Sequence, residues 1–393
     1  MALLHPAGHS QEAEMPGQLT NKASEESNHM KKITISAAAL ALFTVPASSQ
    51  NIENPLYAPS KRAFYSKIAL GAMYKEADDN LAMMAKNHVG ETEFPVGRIN
   101  LDLGYGLTDR LSARLALGWT QNDEISRKGA HNGRLGLNYR VADGQGGGMV
   151  WDLYADAWLG GLTKMEADLV RSPNLAMVMD GSYPLSFNYD SFSHGRYGLW
   201  AGTQVGKTWG KFTAAAFIEG ERTFGNNNND IRITDSAKGI IAGMVNGISP
   251  GAGNLYIQGL PASFNVDTES TWEYSGGFKL FYEIDDDWSL GGGFTWKRRA
   301  TNYVEAVNLD VQTTPPLTDA AVASITGAVA NSFIGSLEDG WTEYILAFAA
   351  SRKLTDSMLL SVYCEYTFDS AKPKSQNGTA VKAEAGFRLS FKF

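Results

Sequence analysis

The chain has a single cysteine, Cys364, among 393 residues. An internal disulfide and a thiolate metal cluster both need more, so neither is available to it. Beyond residue 50 only three histidines remain, His88, His131 and His194, and their spacing matches no metal-ligand set. No glycine-rich phosphate loop or nucleotide motif occurs, so neither a metal nor a cofactor is expected. Lys and Arg total 34 against 42 Asp and Glu, a net charge of −8, and no segment is strongly basic. Nucleic acid is therefore not expected as a partner. Long apolar runs are missing too. The longest uncharged candidate, Ala320–Leu337, is interrupted by Ser324, Thr326, Asn331 and Ser332. That is too polar for a transmembrane helix, which needs roughly 20 apolar residues.

What the chain does have begins at Met30. Lys31 and Lys32 form a basic start, Ile33 to Val45 a short apolar run, and small residues follow at Ala47 and Ser49. This is the order of a secretory signal peptide. Residues 1–29 are polar and without period, which reads as an over-extended start ahead of a signal peptide at 30–49. A short segment at 50–62, expected to be extended around Pro55 and Pro59, then precedes the folded unit, 63–393, and either enters that unit as a small plug or hangs free in the periplasm.

Within that unit, segments of about a dozen residues alternate apolar and polar, the mark of strands with two unlike faces. Leu101, Leu103 and Tyr105 alternate with Arg98, Asn100 and Asp102; Leu111, Leu115, Leu117 and Trp119 alternate with Ser112 and Arg114. About twelve such segments are found, near 64–74, 97–105, 110–119, 133–141, 149–160, 196–206, 211–223, 271–284, 288–299, 341–352, 357–369 and 379–393. Their connections alternate short and long. Two short ones share a motif, Leu107-Thr108-Asp109 and Leu354-Thr355-Asp356, with a looser copy at Ile284-Asp285-Asp286. Asp in such a turn is expected to cap its own backbone.

The last nine residues, Ala385 to Phe393, alternate strictly: Phe387, Leu389, Phe391 and Phe393 against Arg388, Ser390 and Lys392. Ending on an amphipathic strand with a terminal aromatic resembles the C-terminal signature of Gram-negative outer-membrane β-barrels. The resemblance is to the porin-like class as a whole. It implies an all-β, transmembrane, antiparallel barrel of about twelve strands, with short periplasmic turns and long extracellular loops. It also implies a place in the bacterial outer membrane, contact with lipid and lipopolysaccharide, and recognition of Phe387, Leu389, Phe391 and Phe393 by the barrel assembly machinery. Trp119, Trp151, Trp272, Trp288, Trp296 and Trp341 fall near strand ends, where indole rings favour the headgroup zone.

With the apolar face on lipid, the other face lines the lumen. Its charges divide: Arg98, Arg110, Arg114, Arg134 and Arg140 form a basic wall in the early strands. Asp152, Asp156, Glu219, Glu273, Glu343 and Glu365 form an acidic wall in the later ones. Such walls would set a transverse field across a water-filled pore, as in general porins. If the lumen is closed, the same charges must pair with one another.

Two long loops bear on that choice. In 300–340, Val322, Ile325, Val329 and Phe333 form one helical stripe, capped by Thr318 or Asp319, that either enters the mouth or packs on the rim. Loop 224–270 carries an apolar patch at Ile240, Ile241, Met244 and Val245 that either lines the entrance or binds something outside.

Chemistry finds little support. His88 or His194 with Asp78, Asp79 or Asp190 is the barest basis for a hydrolytic site at the extracellular rim, and no spacing fixes it. The expectation is a passive channel for small polar or charged solutes and not an enzyme. The alternative is a structural or surface-interaction barrel with a closed lumen.

Overall fold

In the computed structural model, the described residues are 51–77, 93–122, 127–159, 167–170, 186–187, 197–233, 235–312, 315–331, 335–338, 340–369 and 379–393. The expectations for residues 1–29 and 30–49, and for His88, His194, Asp78, Asp79, Asp190 and Phe333, lie outside them.

In chain order the strands are β1 (Phe64–Ala77), β2 (Glu93–Gly106), β3 (Leu111–Asn122), β4 (Arg127–Asp143), β5 (Val150–Leu159) and β6 (Ala167–Val170). Next come β7 (Ser186–Phe187), β8 (Tyr197–Trp209), β9 (Phe212–Thr223), β10 (Asn226–Arg232), β11 (Ser263–Thr268) and β12 (Thr271–Glu283). The last are β13 (Trp288–Arg299), β14 (Asn302–Asn308), β15 (Gly335–Glu338), β16 (Trp341–Thr355), β17 (Met358–Asp369) and β18 (Thr379–Lys392).

Twelve of these close into one antiparallel barrel, in the order β1-β18-β17-β16-β13-β12-β9-β8-β5-β4-β3-β2. The terminal strand closes it, with Ile68 opposite Leu389 and Leu70 opposite Phe387. Closure leaves no open edge, the condition for placing a sheet in lipid. Every segment expected as a strand is present. Several run further than the apolar alternation did: β4 spans 127–143 and takes in His131, outside the expected segment 133–141. Pairing continues past the band in which lipid dictates an apolar face.

The polarity is inverted relative to a water-soluble protein. Leu135, Ile218, Phe348 and Phe387 are each more than half exposed on the outside, while Asp152, Asp156, Thr213, Ser361 and Ser390 are buried within. An apolar exterior over a polar interior is stable only with hydrocarbon outside. Trp119 and Trp272 stand outward near the long-loop end, Trp151 and Trp288 outward near the short-turn end.

The short turns are capped, though not as the aspartates suggested. In the first copy the Thr108 hydroxyl accepts from the N–H groups of Arg110 (3.2 Å) and Leu111 (2.9 Å). In the second, the Thr355 hydroxyl accepts from the N–H of Ser357 at 3.3 Å. Only in the looser copy does an aspartate do this, Asp285 accepting from the N–H groups of Asp287 and Trp288. A hydroxyl and a carboxylate oxygen offer the same acceptor to a turn, so threonine serves equally.

The two longest loops fold together. β10, β11, β14 and β15 prolong the wall of β9, β12, β13 and β16 as a second sheet, ordered β15-β14-β11-β10-β6-β7. Helices α1 (Asp235–Ile248), α2 (Gly253–Gln258) and α3 (Asp319–Asn331) share one apolar core with it, containing Ile241, Val245, Tyr256, Phe264, Ile325 and Val329. Thr318 starts α3 by accepting from the N–H of Ala321 at 3.3 Å. The expected stripe at Val322, Ile325 and Val329 is thus buried against the partner loop, and Tyr256 and Thr326 bond hydroxyl to hydroxyl at 2.8 Å. Among the described residues, no helix is long and apolar enough to cross a membrane.

Candidate lumenal site

Alternation from the exposed outer residues places Arg98, Arg114, Arg134, Arg140, Asp152, Asp156, Glu219, Glu273, Glu343 and Glu365 on the inner face. Arg110 is the exception. It lies in the exposed turn between β2 and β3, one residue before the strand begins, and is not on the wall.

The two sets meet directly in one pair, Arg140 with Asp152, and the other inward arginines find carboxylates outside the expected acidic set. Arg140 grips its register partner Asp152 with two bonds, Nε to Oδ1 at 2.9 Å and Nη2 to Oδ2 at 3.0 Å. Arg98 reaches past β1 to Glu384 on β18, at 2.8 Å. Arg114 holds Asp102 at 3.1 Å, and Lys297 holds Glu273 at 2.8 Å. These bases are thus neutralised pair by pair, because carboxylates taken out of water need a partner close by, whereas Asp156, Glu219 and Glu365 of the acidic set make no ion pair among the described residues.

Arg134 has the longest reach. From β4 it spans β5 and β8 to Glu221 on β9, at 3.4 Å. Its guanidinium lies 3.9 Å from the ring centre of Trp158 and 5.3 Å from that of Trp200. Trp200 in turn stacks on Tyr154 at 4.7 Å. Tyr154 donates to Glu219 at 3.1 Å, and Ser275 donates to its other oxygen at 2.7 Å. Gly198 and Gly202, opposite Trp158 and Tyr154, leave room for these rings against the wall. Trp158 and Trp200 sit on the polar face of their strands, a parity that the sequence already contained.

A consistent asymmetry runs through the lumen. In each ion pair just described the base is more exposed than its carboxylate, as with Arg114 at 37% against Asp102 at 26%. Lys279 is exposed as well and makes no ion pair among the described residues, Glu219 acting on it only from longer range; its ammonium lies 4.7 Å from the Phe217 ring centre. Long basic side chains extend toward water while short carboxylates lie against the wall.

Of the two places open to the N-terminal segment, the inside of the barrel is the one it takes. Residues 51–59 cross the short-turn end of the lumen and touch six strands. Asn51 donates to Ser289 on β13 at 3.3 Å, and Asn54 to Thr213 on β9 at 3.0 Å. The Pro55 carbonyl accepts from Gln204 on β8, and that of Leu56 from Arg140 on β4, both at 2.7 Å. Glu53 is held by Arg388 (2.7 Å) and Ser390 (2.7 Å) on β18 and by Lys67 (3.6 Å) on β1. Ile52 and Leu56 are almost wholly buried. The stretch is not extended as its prolines suggested: the Asn54 N–H donates to the Asn51 carbonyl (3.0 Å) and the Tyr57 N–H to the Asn54 carbonyl (2.9 Å), two successive turns that leave the carbonyls of Ile52, Pro55 and Leu56 to accept from the wall. The chain then turns at Arg62, whose φ is +66°, and pairs with Gly106 to enter β1.

A closed antiparallel barrel with an apolar exterior, a charged interior and one set of short turns defines an outer-membrane β-barrel protein. No family model matches the chain, and no curated protein matches it. It is similar in structure to an outer-membrane channel from Pseudomonas putida F1, 12% identical, over 88% of this chain and 100% of that one, with a TM-score of 0.46. It is also similar to the NanC porin, 7% identical over 83% and 99% of the two chains (TM-score 0.35). A third is the attachment invasion locus protein Ail of Yersinia pestis, 7% identical over 85% and 99% (TM-score 0.23). At these identities the likeness is one of fold alone.

Proposed function

We propose that the barrel is a passive, porin-like channel for small polar or charged solutes, with a preference for anions, assembled into the outer membrane through its C-terminal strand. The observation that carries this reading is the exposure of the lumenal bases, Lys279 and Arg114 above all. In a filled barrel an unpaired ammonium would be costly, whereas in a water-filled lumen hydration is enough. Bases that stand forward of their carboxylates make the potential along the path positive. The reading includes no catalysis.

A closed structural or surface-interaction barrel is the second reading. The segment across the short-turn end and the folded loop assembly beyond the long-loop end both favour it. The deciding experiment is single-channel recording from refolded protein in a planar bilayer under a salt gradient. A reversal potential on the anion side, moved toward cations by Lys279→Glu, supports the channel. Protein that is folded by its gel heat shift yet silent, even without residues 51–59, leaves the structural barrel.

A further inference from the structure

Glu53 is bound as a ligand would be. Its carboxylate lies among Arg388 Nη1 at 2.7 Å, Ser390 Oγ at 2.7 Å and Lys67 Nζ at 3.6 Å, and it comes from outside the barrel wall. The site is built: Ser390 is fully buried, and the Arg388 guanidinium lies 5.1 Å from the Tyr363 ring centre. The nearby carboxylates of the wall are engaged elsewhere, Glu384 by Arg98 and Tyr363, Asp102 by Arg114. Glu365, the remaining wall carboxylate nearby, attracts Arg388 only from beyond ion-pair distance, so without Glu53 both Lys67 and Arg388 would lose their contact-range carboxylate.

The groups beside this site are also donors. Lys67 gives a second contact to the Ile52 carbonyl at 2.9 Å, while Gln204 and Arg140 hold the carbonyls of Pro55 and Leu56. A vacated site would therefore present an ammonium, a guanidinium and a hydroxyl, with the Gln204 amide and the Arg140 guanidinium (the latter holding Asp152) further round the lumen on β8 and β4. That set recognises a carboxylate carrying further oxygen acceptors and offers little to a cation.

We infer that Lys67, Arg388 and Ser390 form a carboxylate subsite of the lumen, occupied in the resting protein by Glu53, so that a small carboxylate solute and the N-terminal segment compete for it. Binding of the solute displaces the segment and opens the short-turn end. This rests on the channel reading and names its solute class.

The test is single-channel recording with succinate as the probe and succinamide as its uncharged counterpart. In the unmodified protein, succinate raises the open probability and succinamide does not. Glu53→Gln raises it by about tenfold or more without any solute, as loss of a charge-assisted contact should. In that variant succinate interrupts the open current, and adding Lys67→Met with Arg388→Gln removes the interruptions. Should Glu53→Gln fail to show the gel heat shift of folded protein, the succinate response of the unmodified protein decides alone. Steady current indifferent to succinate, and unchanged by Glu53→Gln where that variant folds, overturns the inference and leaves the channel standing. Silence in every folded form, including one without residues 51–59, overturns the channel reading itself.

Discussion

Arg388, four residues before the end of the barrel's last strand, meets Glu53 of the N-terminal segment with Nη1 2.7 Å from Oε2. The contact joins residues 335 positions apart and holds the segment within the lumen. Glu53 lies outside the strands, and its carboxyl feels opposed forces. Burial pushes its pKa up, but the charges of Lys67 and Arg388 and the bonds from Ser390 and Arg388 outweigh this and hold it down to about 2. A depressed carboxylate stabilises docking above its free value, ordinarily 4.5, and that contribution is lost as pH falls toward about 2. A nitroxide at Asn51→Cys, in a Cys364→Ser background, is expected to gain mobility across that window. With Glu53→Gln added, the same label should show no such transition.

Gly106 passes so close to the N-terminal segment that a Cβ there would run into the Ser60 carbonyl. Gly106→Val is expected to push the segment away while β1 and β2 remain paired. The same nitroxide should then be mobile at neutral pH, with the heat-shifted band of folded barrel still present. An immobile label would show that the segment is held independently of this approach.

Arg134 closes the stack over Trp158 and Trp200 and neutralises Glu221. Arg134→Ala is expected to lower unfolding free energy by about 2–3 kcal/mol, from a lost cation–π contact and an uncompensated carboxylate. Arg134→Lys should recover only part of this, since a point charge cannot lie flat across both indoles. Combining Arg134→Ala with Glu221→Gln should cost less than the sum of the two. Urea unfolding in detergent micelles measures all four proteins.

Val329 is completely buried in the core shared by the two long loops. Val329→Asp places a carboxylate there, at a cost of about 3–5 kcal/mol, enough to unfold so small a core. Loops 224–270 and 300–340 should become sensitive to protease from outside, while the barrel keeps its gel heat shift. Loss of the barrel as well would mean that the two parts fold as one cooperative unit.

The barrel was legible because lipid imposes a rule residue by residue. Leu101, Leu103 and Tyr105 must be apolar wherever the neighbouring strands lie, so the two-residue period survives in the chain itself. The stripe at Val322, Ile325 and Val329 was equally visible, but its partner was not. Nothing near those residues names Ile241 or Val245, which come from a loop on the far side of two strands.

The sequence by itself determined the strands, their two faces, the alternation of short and long connections and, Arg110 apart, the charges turned inward, because each follows from local pattern. Only the tertiary structure decided which charges meet. Arg98 with Glu384 and Arg134 with Glu221 depend on closure and register. It alone decided, too, that Asn51 to Pro59 lies inside the barrel: a short run of turns with two prolines carries no period, and its place is set by bonds to six strands that closure brings around it.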